Sequence, residues 1–274
     1  MDKRGAVVFN GAAMTTGQIR ADAMTEVSIV IPMKNEVGNV AALVTDIAAA
    51  CAAGPAFEII VVDDGSTDGT GEAVARLAAT LPNLRLLRHP VSGGQSAAVH
   101  SGVLAARGAI CCTLDGDGQN PPSELPGLMA PLLADGTGRL GLVAGQRVAR
   151  QDTWSKKLAS RAANRLRAAM LKDGTRDTGC GLKAFRREAF LALPYFNHMH
   201  RYLPALFRRD GWEIAHVDVS HRNRQAGRSN YSNLQRALVG AHDLIGVAWL
   251  IRRRKTARPA EVTLPAQVHS EPGA

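Results

Sequence analysis

The 274-residue sequence predicts an α/β fold, namely an open, mostly parallel, doubly wound sheet with helices on both of its faces. Short apolar segments alternate with Ala- and Leu-rich segments of helical length, which is the pattern of strand–helix–strand units. The short segments are apolar at nearly every position, as strands are when both faces of a parallel sheet are covered. A hydrophobic content of 46% is sufficient for the core of such a sheet.

Five strands and four helices are predicted in alternation. The strands are "VSIVIP" (27–32), "FEIIVVDD" (57–64), "LRLLRH" (84–89), "AICCTLD" (109–115) and "LGLVAG" (140–145). The helices are 39–53, 70–80, 95–106 and 123–134. Ligands bind such sheets at the carboxyl ends of the strands, so the residues that follow each strand are the first candidates for a site.

Polar residues follow three of the predicted strands. "PMKNE" (32–36) closes the first strand, "DDGSTD" (63–68) the second and "DGDGQ" (115–119) the fourth. Because parallel strands end at one edge of the sheet, these three clusters are expected to meet there.

The third cluster begins with two carboxylates, Asp115 and Asp117, separated only by Gly116. Like charges this close repel each other unless a cation lies between them or one of them is protonated. Mg²⁺ or Mn²⁺ is bound in this way by one or two carboxylates together with phosphate oxygens of a substrate. A plain surface turn is the alternative, since Asp and Gly are common turn residues, but the two neighbouring polar clusters favour a metal site.

Other common nucleotide and metal motifs are absent from the sequence. There is no GxxxxGK[ST] loop, no GxGxxG after the first strand and no HExxH, which argues against a Walker-type NTPase, a dinucleotide enzyme and a zinc site. The four cysteines form no CxxC pair and are predicted to be free buried thiols in a reducing compartment.

The net charge of +9 is unevenly distributed along the chain. Residues 1–138 contain 8 Lys and Arg against 14 Asp and Glu, whereas residues 139–256 contain 24 against 8. An acidic front half and a basic back half are expected to face different partners.

Two basic segments have the pattern of helices that lie on an anionic membrane surface. Residues 147–172 carry eight Lys and Arg, apolar residues at roughly helical spacing, and Trp154. Residues 234–255 carry Trp249 and end in Arg252–Lys255. The alternative is that both helices pack on the domain with solvated charges. No uninterrupted stretch of about 18 apolar residues predicts a membrane-spanning helix.

The ordered motifs resemble those of the family 2 glycosyltransferases of the GT-A fold. The resemblance is greatest to the branch of dolichol-phosphate mannosyltransferases and other polyprenyl-phosphate glycosyltransferases. Its motifs in this chain are "VSIVIPMKNE", "IIVVDDGSTDGT", "GGQSAAVHSG", "LDGDGQNPP", "DTGCGLKAFRREAF" (177–190) and "HRNRQAGRSNY" (221–231).

The resemblance implies a nucleotide-sugar donor bound by the first four motifs. The implied residues are Pro32, Glu36, Asp63 and Asp64 for the base and ribose, and Asp115, Asp117 and Gln119 for the Mg²⁺ or Mn²⁺ that bridges the diphosphate. Gly94, with Gly93, is expected to let the backbone approach the diphosphate, and a plain turn is the alternative. A bound cation would stabilise the charge that develops on the departing nucleoside diphosphate.

The resemblance also implies a lipid phosphate as acceptor, with direct displacement and inversion at the anomeric carbon. A phosphate dianion is already a nucleophile, so the site needs cations that seat it rather than a catalytic base. The residues implied to bind this phosphate, which are called the acceptor seat below, are Arg147, Lys156, Ser160, Arg224 and Ser229. Asp117, Arg147 and Arg224 are the implied catalytic residues.

Two positions of this seat depart from the pattern of the branch. Lys156 stands where the branch often has Arg, and Asn230 stands where it has Lys. Lys156 still offers a point charge, and neighbouring Arg228 is a candidate to replace the missing cation.

The predicted organisation is a flexible leader (1–24), a GT-A glycosyltransferase domain (25–230), an amphipathic membrane-proximal helix (231–256) and a disordered tail (257–274). The protein is expected in the cytoplasm, peripheral on the cytoplasmic face of the membrane, with a nucleotide sugar and a polyprenyl phosphate as partners.

Two other functions remain open at the level of sequence. The acceptor could be a hydroxyl of a soluble sugar or glycan, which would need a general base, and Asp177 is the candidate. The basic half could be a nucleic-acid-binding module, although aromatic residues are only 4% and no binding motif is present, so no nucleic acid is expected.

Overall fold

The structure, a computed structural model, describes residues 24–148, 167–222, 233–254 and 257, with the backbone alone for 233–239. Most of the predicted leader and tail lies outside these residues, as do residues 149–166 of the first basic segment and residues 223–232.

The described residues form one seven-stranded sheet with the order β3-β2-β1-β4-β6-β5-β7. The strands are β1 (Val27–Met33), β2 (Phe57–Asp64), β3 (Leu84–His89), β4 (Ile110–Thr113), β5 (Leu140–Arg147), β6 (Lys183–Arg186) and β7 (Glu213–Val219). β6 is antiparallel to both β4 and β5, and every other pairing is parallel. The prediction of an open, mostly parallel sheet is therefore confirmed.

The sequence predicted β1 to β5 but neither β6 nor β7. β6 has only four residues, which is too short for a periodic signal. β7 lies at the edge of the sheet and exposes Glu213, His216 and Asp218, so it lacks the continuous apolar run used to recognise the other strands. β5 extends to Arg147, two residues beyond the predicted strand, so the first basic segment does not begin as a helix.

Apart from two short 3-10 helices and the helical residues 167–171, seven α-helices occur within the described parts of the chain. They are α1 (Val37–Cys51), α2 (Thr70–Ala78), α3 (Gln95–Ala105), α4 (Leu125–Leu133), α5 (Arg187–Leu191), α6 (Leu203–Arg209) and α7 (Asn233–Arg252). The four helices predicted between the strands match α1 to α4 to within a few residues. Residues 167–171 of the first basic segment are also helical.

The sheet separates two hydrophobic cores. Side chains alternate along β1, so Ile29 and Ile31 pack with α1, α2 and α4, whereas Val30 packs with α3. Val247 of α7 and the side chains of α6 belong to this second core. Helices therefore cover both faces, as predicted. No helix among the described residues combines the length and apolarity needed to cross a membrane.

Candidate active site

The carboxyl ends of β1, β2 and β4 lie side by side. In the parallel registers Met33 is opposite Asp63, and Val30 is opposite Thr113. The three polar clusters predicted from the sequence therefore meet at one edge of the sheet.

The loops after β1 and β2 are tied together by reciprocal hydrogen bonds. The Asn35 amide donates to Ser66 Oγ (2.9 Å), and the Thr67 amide donates to Asn35 Oδ1 (2.9 Å). The Glu36 amide donates to Thr70 Oγ1 (2.9 Å). Asn35 has a φ of 56°, a left-handed conformation that Asn tolerates better than most residues. These bonds fix Pro32 to Glu36 against the second cluster.

Asp63 is buried, and only one of its oxygens accepts a hydrogen bond. Oδ1 accepts from the Ser66 amide (3.0 Å). Oδ2 lies 3.2 Å from Arg88 Nε but has no hydrogen-bond partner, because the geometry of that ion pair is unsuitable. This oxygen is enclosed by the Arg88 side chain and Gly71 at the start of α2.

Asp64, in contrast, is committed to the loop that precedes α3. Asp64 Oδ1 accepts a hydrogen bond from the Gly93 amide (2.8 Å) and lies 2.7 Å from His89 Nδ1. Asp64 Oδ2 accepts hydrogen bonds from Ser92 Oγ (2.6 Å) and from the Gly94 amide (2.8 Å). Although burial raises the pKa of Asp64, these hydrogen bonds lower it below its usual value. Asp64 thus fixes the Gly93-Gly94 turn, and Gly94 has a φ of 84° that favours glycine.

The Asp115–Asp117 turn is pressed against the end of β1. A Cβ on Gly116 would lie 2.7 Å from Met33 Cγ and 3.0 Å from the Pro32 carbonyl oxygen, so only glycine fits. The Gln119 amide donates to Asp117 Oδ1 (3.1 Å). The chain therefore brings Asp115, Asp117 and Gln119 together as the sequence predicted.

Asp115 lies in surroundings that disfavour its charged form. Its carboxylate accepts from Gln95 Nε2 (2.7 Å) at the start of α3 and from Asn120 Nδ2 (3.2 Å). Burial, followed by repulsion from Asp117, raises the pKa of Asp115. A divalent cation would relieve this repulsion.

The donor set fits Mg²⁺ or Mn²⁺ shared with a substrate. Within the described ranges, no group of three or more His, Cys, Asp and Glu side chains could hold a metal ion by itself. Mg²⁺ characteristically uses one or two carboxylates and takes its remaining ligands from water and substrate phosphates. Asp115 and Asp117 meet this requirement only together with a diphosphate.

Lys183, a buried residue of β6, lies near the site and was not predicted from the sequence. Lys183 is only 4% exposed, and its ammonium donates to the Cys180 carbonyl oxygen. It interacts electrostatically with Asp115 and Asp177. A lysine within the otherwise apolar "CGLKAF" is the signal that could have identified it.

Arg147, at the end of β5, forms a bidentate pair with Asp177. Arg147 Nε donates to Asp177 Oδ2 (2.5 Å), and Arg147 Nη2 donates to Oδ1 (2.9 Å), which also accepts from the Gly179 amide (3.1 Å). Buried Gln146 accepts from the Arg176 and Asp177 amides (3.0 and 2.9 Å) and so fixes this segment. The guanidinium is thereby fixed at the end of β5, near enough to interact electrostatically with Asp115.

The chain beyond β7 returns to the same turn. The Arg222 amide donates to the Gln119 carbonyl oxygen (2.9 Å). Ser220 donates to Glu124 Oε1 from its amide (3.1 Å) and its hydroxyl (2.6 Å). The other predicted residues of the acceptor seat, which are Lys156, Ser160, Arg224 and Ser229, lie outside the described residues.

A mostly parallel sheet with a carboxylate turn after its fourth strand and an antiparallel sixth strand defines a GT-A type sugar transferase. Residues 28–193, more than half of the chain, match the model of glycosyl transferase family 2. The chain belongs to this family and is a glycosyltransferase.

The matches to curated relatives cover more of the chain than the family model does. The chain is 34% identical over 229 residues to an undecaprenyl-phosphate 4-deoxy-4-formamido-L-arabinose transferase of Enterobacter sp. (strain 638), covering 82% of this chain and 68% of the relative. It is 34% identical over 242 residues to a dodecaprenyl-phosphate galacturonate synthase of Rhizobium johnstonii, covering 85% and 69%. With another such arabinose transferase, from Pectobacterium carotovorum, the match covers 65% of the relative.

Solved structures share the fold. A mannosyl-3-phosphoglycerate synthase of Rubrobacter xylanophilus aligns with a TM-score of 0.63 at 18% identity, covering 89% of this chain and 81% of that one. A glucosyl-3-phosphoglycerate synthase of Mycobacterium tuberculosis, solved with Mn²⁺, UDP-glucose and glycerol 3-phosphate, aligns with a TM-score of 0.60 at 22% identity, covering 89% and 86%. At these identities the likeness concerns the fold alone.

Proposed function

We propose that this glycosyltransferase moves a sugar from a nucleotide-sugar donor to a polyprenyl phosphate, with inversion at the anomeric carbon. The observation that carries the proposal is the bidentate Arg147–Asp177 pair beside the carboxylate turn. This pair presents a fixed cation for a phosphate and leaves Asp177 poorly suited to act as a base. The names of the curated relatives, which are transferases to polyprenyl phosphates, support the same acceptor.

The donor diphosphate would bind at the Asp115–Asp117 turn through a divalent metal. Asp115, Asp117 and Gln119 would hold Mg²⁺ or Mn²⁺, and when bound the metal acts as a Lewis acid for the leaving nucleoside diphosphate. Gln95 and Asn120 orient the Asp115 carboxylate towards this role through their hydrogen bonds.

The nucleoside would lie against the first two clusters, with Pro32, Glu36 and Asp63 as contacts. Asp63 is a better candidate than Asp64 for a hydrogen bond with the base, because Asp64 already accepts from Ser92, Gly93 and Gly94. In this assignment Asp64 acts indirectly, by positioning the turn that leads into α3.

The acceptor phosphate would be seated by Arg147 and by the residues that follow β7. The bond between the Arg222 amide and the Gln119 carbonyl oxygen brings the chain after β7 to the carboxylate turn. Arg224 is assigned to the seat from the resemblance. Lys156, Ser160 and Ser229 complete the proposed seat. A phosphate dianion needs no deprotonation, so Arg147 and its neighbours only hold it in line with the anomeric carbon.

Transfer to a sugar hydroxyl is the weaker candidate. A hydroxyl acceptor needs a general base, and both Asp177 oxygens already accept hydrogen bonds from the Arg147 guanidinium. Protonation of Asp177 would break this pair.

Incubation with a labelled nucleotide sugar, Mn²⁺ and polyprenyl phosphate tests the proposed function. Product is expected with the lipid phosphate and not with the matching polyprenol. Asp117→Asn is expected to lower product formation on the order of 100-fold, because it removes a charged metal ligand. Glu213→Gln, at a half-exposed surface pair with Arg139, is the control. A folded Asp117→Asn enzyme with full activity would refute the proposal.

The proposed membrane contact is the exposed face of α7. Ile245 and Trp249 are one helical turn apart and 66% and 59% exposed, and Arg252 to Arg254 follow. An apolar face bordered by arginines suits an anionic lipid surface, here the cytoplasmic leaflet where the donor is available.

Flotation with phosphatidylglycerol vesicles tests this contact. Ile245→Ala combined with Trp249→Ala is expected to weaken vesicle binding more than about tenfold, because two large side chains no longer enter the interface. Leu133→Ala, which removes a half-exposed apolar side chain from α4, is the control. Unchanged flotation of the double variant would contradict the assignment.

A further inference from the structure

A histidine that has no part in the proposed reaction holds the start of α3. Ser96, the second residue of α3, is only 3% exposed. Ser96 Oγ lies 2.8 Å from His200 Nδ1, and the His200 amide donates a hydrogen bond to the same oxygen (3.3 Å). His200 lies 104 residues further along the chain, in the short 3-10 helix Met199–Arg201. These contacts therefore fix the start of α3 to a segment that is distant in sequence.

The segment that carries His200 is anchored by contacts of its own. Tyr202 is buried, and its hydroxyl donates to the Gly240 carbonyl oxygen of α7 (3.1 Å). On the other side of His200, His198 Nδ1 lies 2.9 Å from Asp243 Oδ2, also on α7. His200 thus approaches α3 from a segment that is held against α7 on both sides of it.

The start of α3 lies between two parts of the proposed donor site. The Gly93-Gly94 turn, which directly precedes the helix, is held by Asp64. Gln95, the first residue of the helix, donates to Asp115 Oδ1 (2.7 Å). Because the turn, Gln95 and Ser96 are consecutive in the chain, a displacement of Ser96 would also displace the other two.

The His200 ring can accept a hydrogen bond from Ser96. Burial, followed by the charges of Lys183 and Arg201, lowers the pKa of His200 to about 3. The ring is therefore uncharged at pH 7, and Nδ1 can accept from the Ser96 hydroxyl while Ser96 Oγ accepts from the His200 amide. Loss of the ring would leave this buried hydroxyl without an acceptor, which is unfavourable.

We propose that His200 is a positioning residue of the donor site, which holds the first turn of α3 through Ser96 and thereby sets the positions of the Gly93-Gly94 turn and Gln95. The inference rests on the proposed function and adds to its donor site a residue that acts from a distance. His200 acts through Ser96 and does not need to contact the substrate.

Calorimetric binding of UDP and of GDP to the full chain, with Mn²⁺ present, tests this role. His200→Leu is expected to raise the Kd of the nucleotide that the wild type binds by about tenfold, because the start of α3 loses its support. His200→Asn should stay within about threefold of the wild type, since its amide is as many bonds from the backbone as Nδ1. His200→Gln places its amide at the reach of Nε2 instead and should resemble His200→Leu.

A double-mutant cycle tests whether His200 acts through Ser96. Ser96→Ala is expected to raise the nucleotide Kd about as much as His200→Leu, and the double variant should raise it no further, because both changes break the same contact. In the transfer assay, the KM for the nucleotide sugar should rise while the KM for polyprenyl phosphate stays unchanged. His100→Leu is the matched control, since this histidine of α3 packs on Tyr195 (ring centroids 4.9 Å apart) and should leave the Kd unchanged.

A merely structural role predicts lower melting temperatures with an unchanged Kd for the folded variants, and this result would overturn the proposal. Additive effects in the double variant, or rescue by His200→Gln and not by His200→Asn, would overturn it as well, the latter by showing that Nε2 acts directly. If His200→Leu does not fold, Ser96→Ala and His200→Asn provide the same comparison. If the wild type itself binds neither nucleotide with Mn²⁺, the donor site of the proposed function fails, which is a different outcome.

Discussion

At the scale of single residues, the adjacent carboxylates Asp63 and Asp64 have different environments because successive side chains of a strand point to opposite faces. Asp64 turns towards α3 and holds the Gly93-Gly94 turn. Asp63 turns towards α2 and Arg88, where one of its oxygens lacks a hydrogen bond. Two identical side chains next to each other in sequence therefore have different partners, which are the turn before α3 for Asp64 and the Arg88 side chain for Asp63.

The Asp177→Asn variant tests whether Asp177 positions Arg147 or acts as a general base. The variant is expected to raise the KM for polyprenyl phosphate about tenfold, because Arg147 loses its charged partner, while the KM for the donor stays unchanged. The pH profile of kcat should keep its shape. A selective loss of kcat with an altered pH profile would identify Asp177 as a base instead. Asp218→Asn, in an exposed pair with Arg176, is the matched control.

Glu58 lies near the start of β2, at the end of the sheet opposite the candidate site. Its surroundings predict that the free energy of unfolding depends on pH. Its buried carboxylate accepts from Ser28 Oγ (2.7 Å), Arg85 Nη1 (2.6 Å) and the Arg107 amide (2.7 Å). Burial raises the pKa of Glu58, but these bonds outweigh it and lower the pKa below the usual value. The stabilisation is therefore present above the unfolded pKa of about 4.3 and is lost as the pH falls through the lower folded value.

Urea unfolding of Glu58→Gln at pH 7 and at low pH measures this contribution. The variant is expected to lose about 3 kcal/mol of unfolding free energy at pH 7, because charged hydrogen bonds to buried partners are weakened. The deficit should narrow as the wild-type carboxylate becomes protonated below pH of about 4. A deficit of the same size at every pH would contradict the assignment.

At the scale of secondary-structure elements, the close packing of α3 on the sheet sets the position of the site. Gly102 of α3 approaches β1 and β2 so closely that a Cβ there would overlap Val30 Cγ1 and lie 3.1 Å from Val62 Cγ2. The same helix begins directly after the turn held by Asp64, and its first residue, Gln95, donates to Asp115. The depth at which α3 packs therefore determines where Gln95 and the turn lie.

Gly102→Ala tests this packing. The added methyl group is expected to lower the unfolding free energy by about 1–3 kcal/mol through overpacking against Val30. Gly127→Ala in α4 is the control, because a Cβ there meets nothing within 4 Å and alanine is the better helix former. Thermal unfolding of both variants gives the comparison, and equal melting temperatures would show that α3 can shift at little cost.

At the scale of the whole molecule, the acidic and basic halves of the chain contribute different residues to the candidate site. The acidic front half supplies Asp63, Asp115 and Asp117, whereas the basic back half supplies Arg147 and Lys183. The sheet joins the halves because β6 and β5 pair beside β4. In the proposed function, the acidic half would hold the metal and the basic half would hold the phosphates.

Thermal shift with nucleotides checks this arrangement in the complete chain. UDP or GDP with Mn²⁺ is expected to raise the melting temperature, since a ligand at 100 times its Kd adds about 2.7 kcal/mol to the folded state. Either component alone should give a smaller shift. A shift with one nucleotide only would identify the donor class, and no shift with any nucleotide sugar would contradict the donor site.

The positions of the proposed donor-side residues in the fold were largely predictable from the sequence, because these residues lie in short segments next to recognisable strands. Asp115, Asp117 and Gln119 are adjacent in the chain, and their place at the end of a buried strand follows from local pattern alone. The partners of Asp177 were not predictable in this way. Arg147 is thirty residues away from Asp177, and their pairing depends on a sheet order that the sequence analysis did not foresee.

The sequence by itself determined the fold class, the edge of the sheet that carries the site, and the carboxylate turn, since hydrophobic periodicity and local turn chemistry act over a few neighbouring residues. Only the tertiary structure decided that β6 enters antiparallel between β4 and β5, that Lys183 is buried on this strand, and that Asp177 faces Arg147. These relationships join residues far apart in the chain. Their energies depend on burial and on the distance between charges, and neither quantity exists until the sheet has formed.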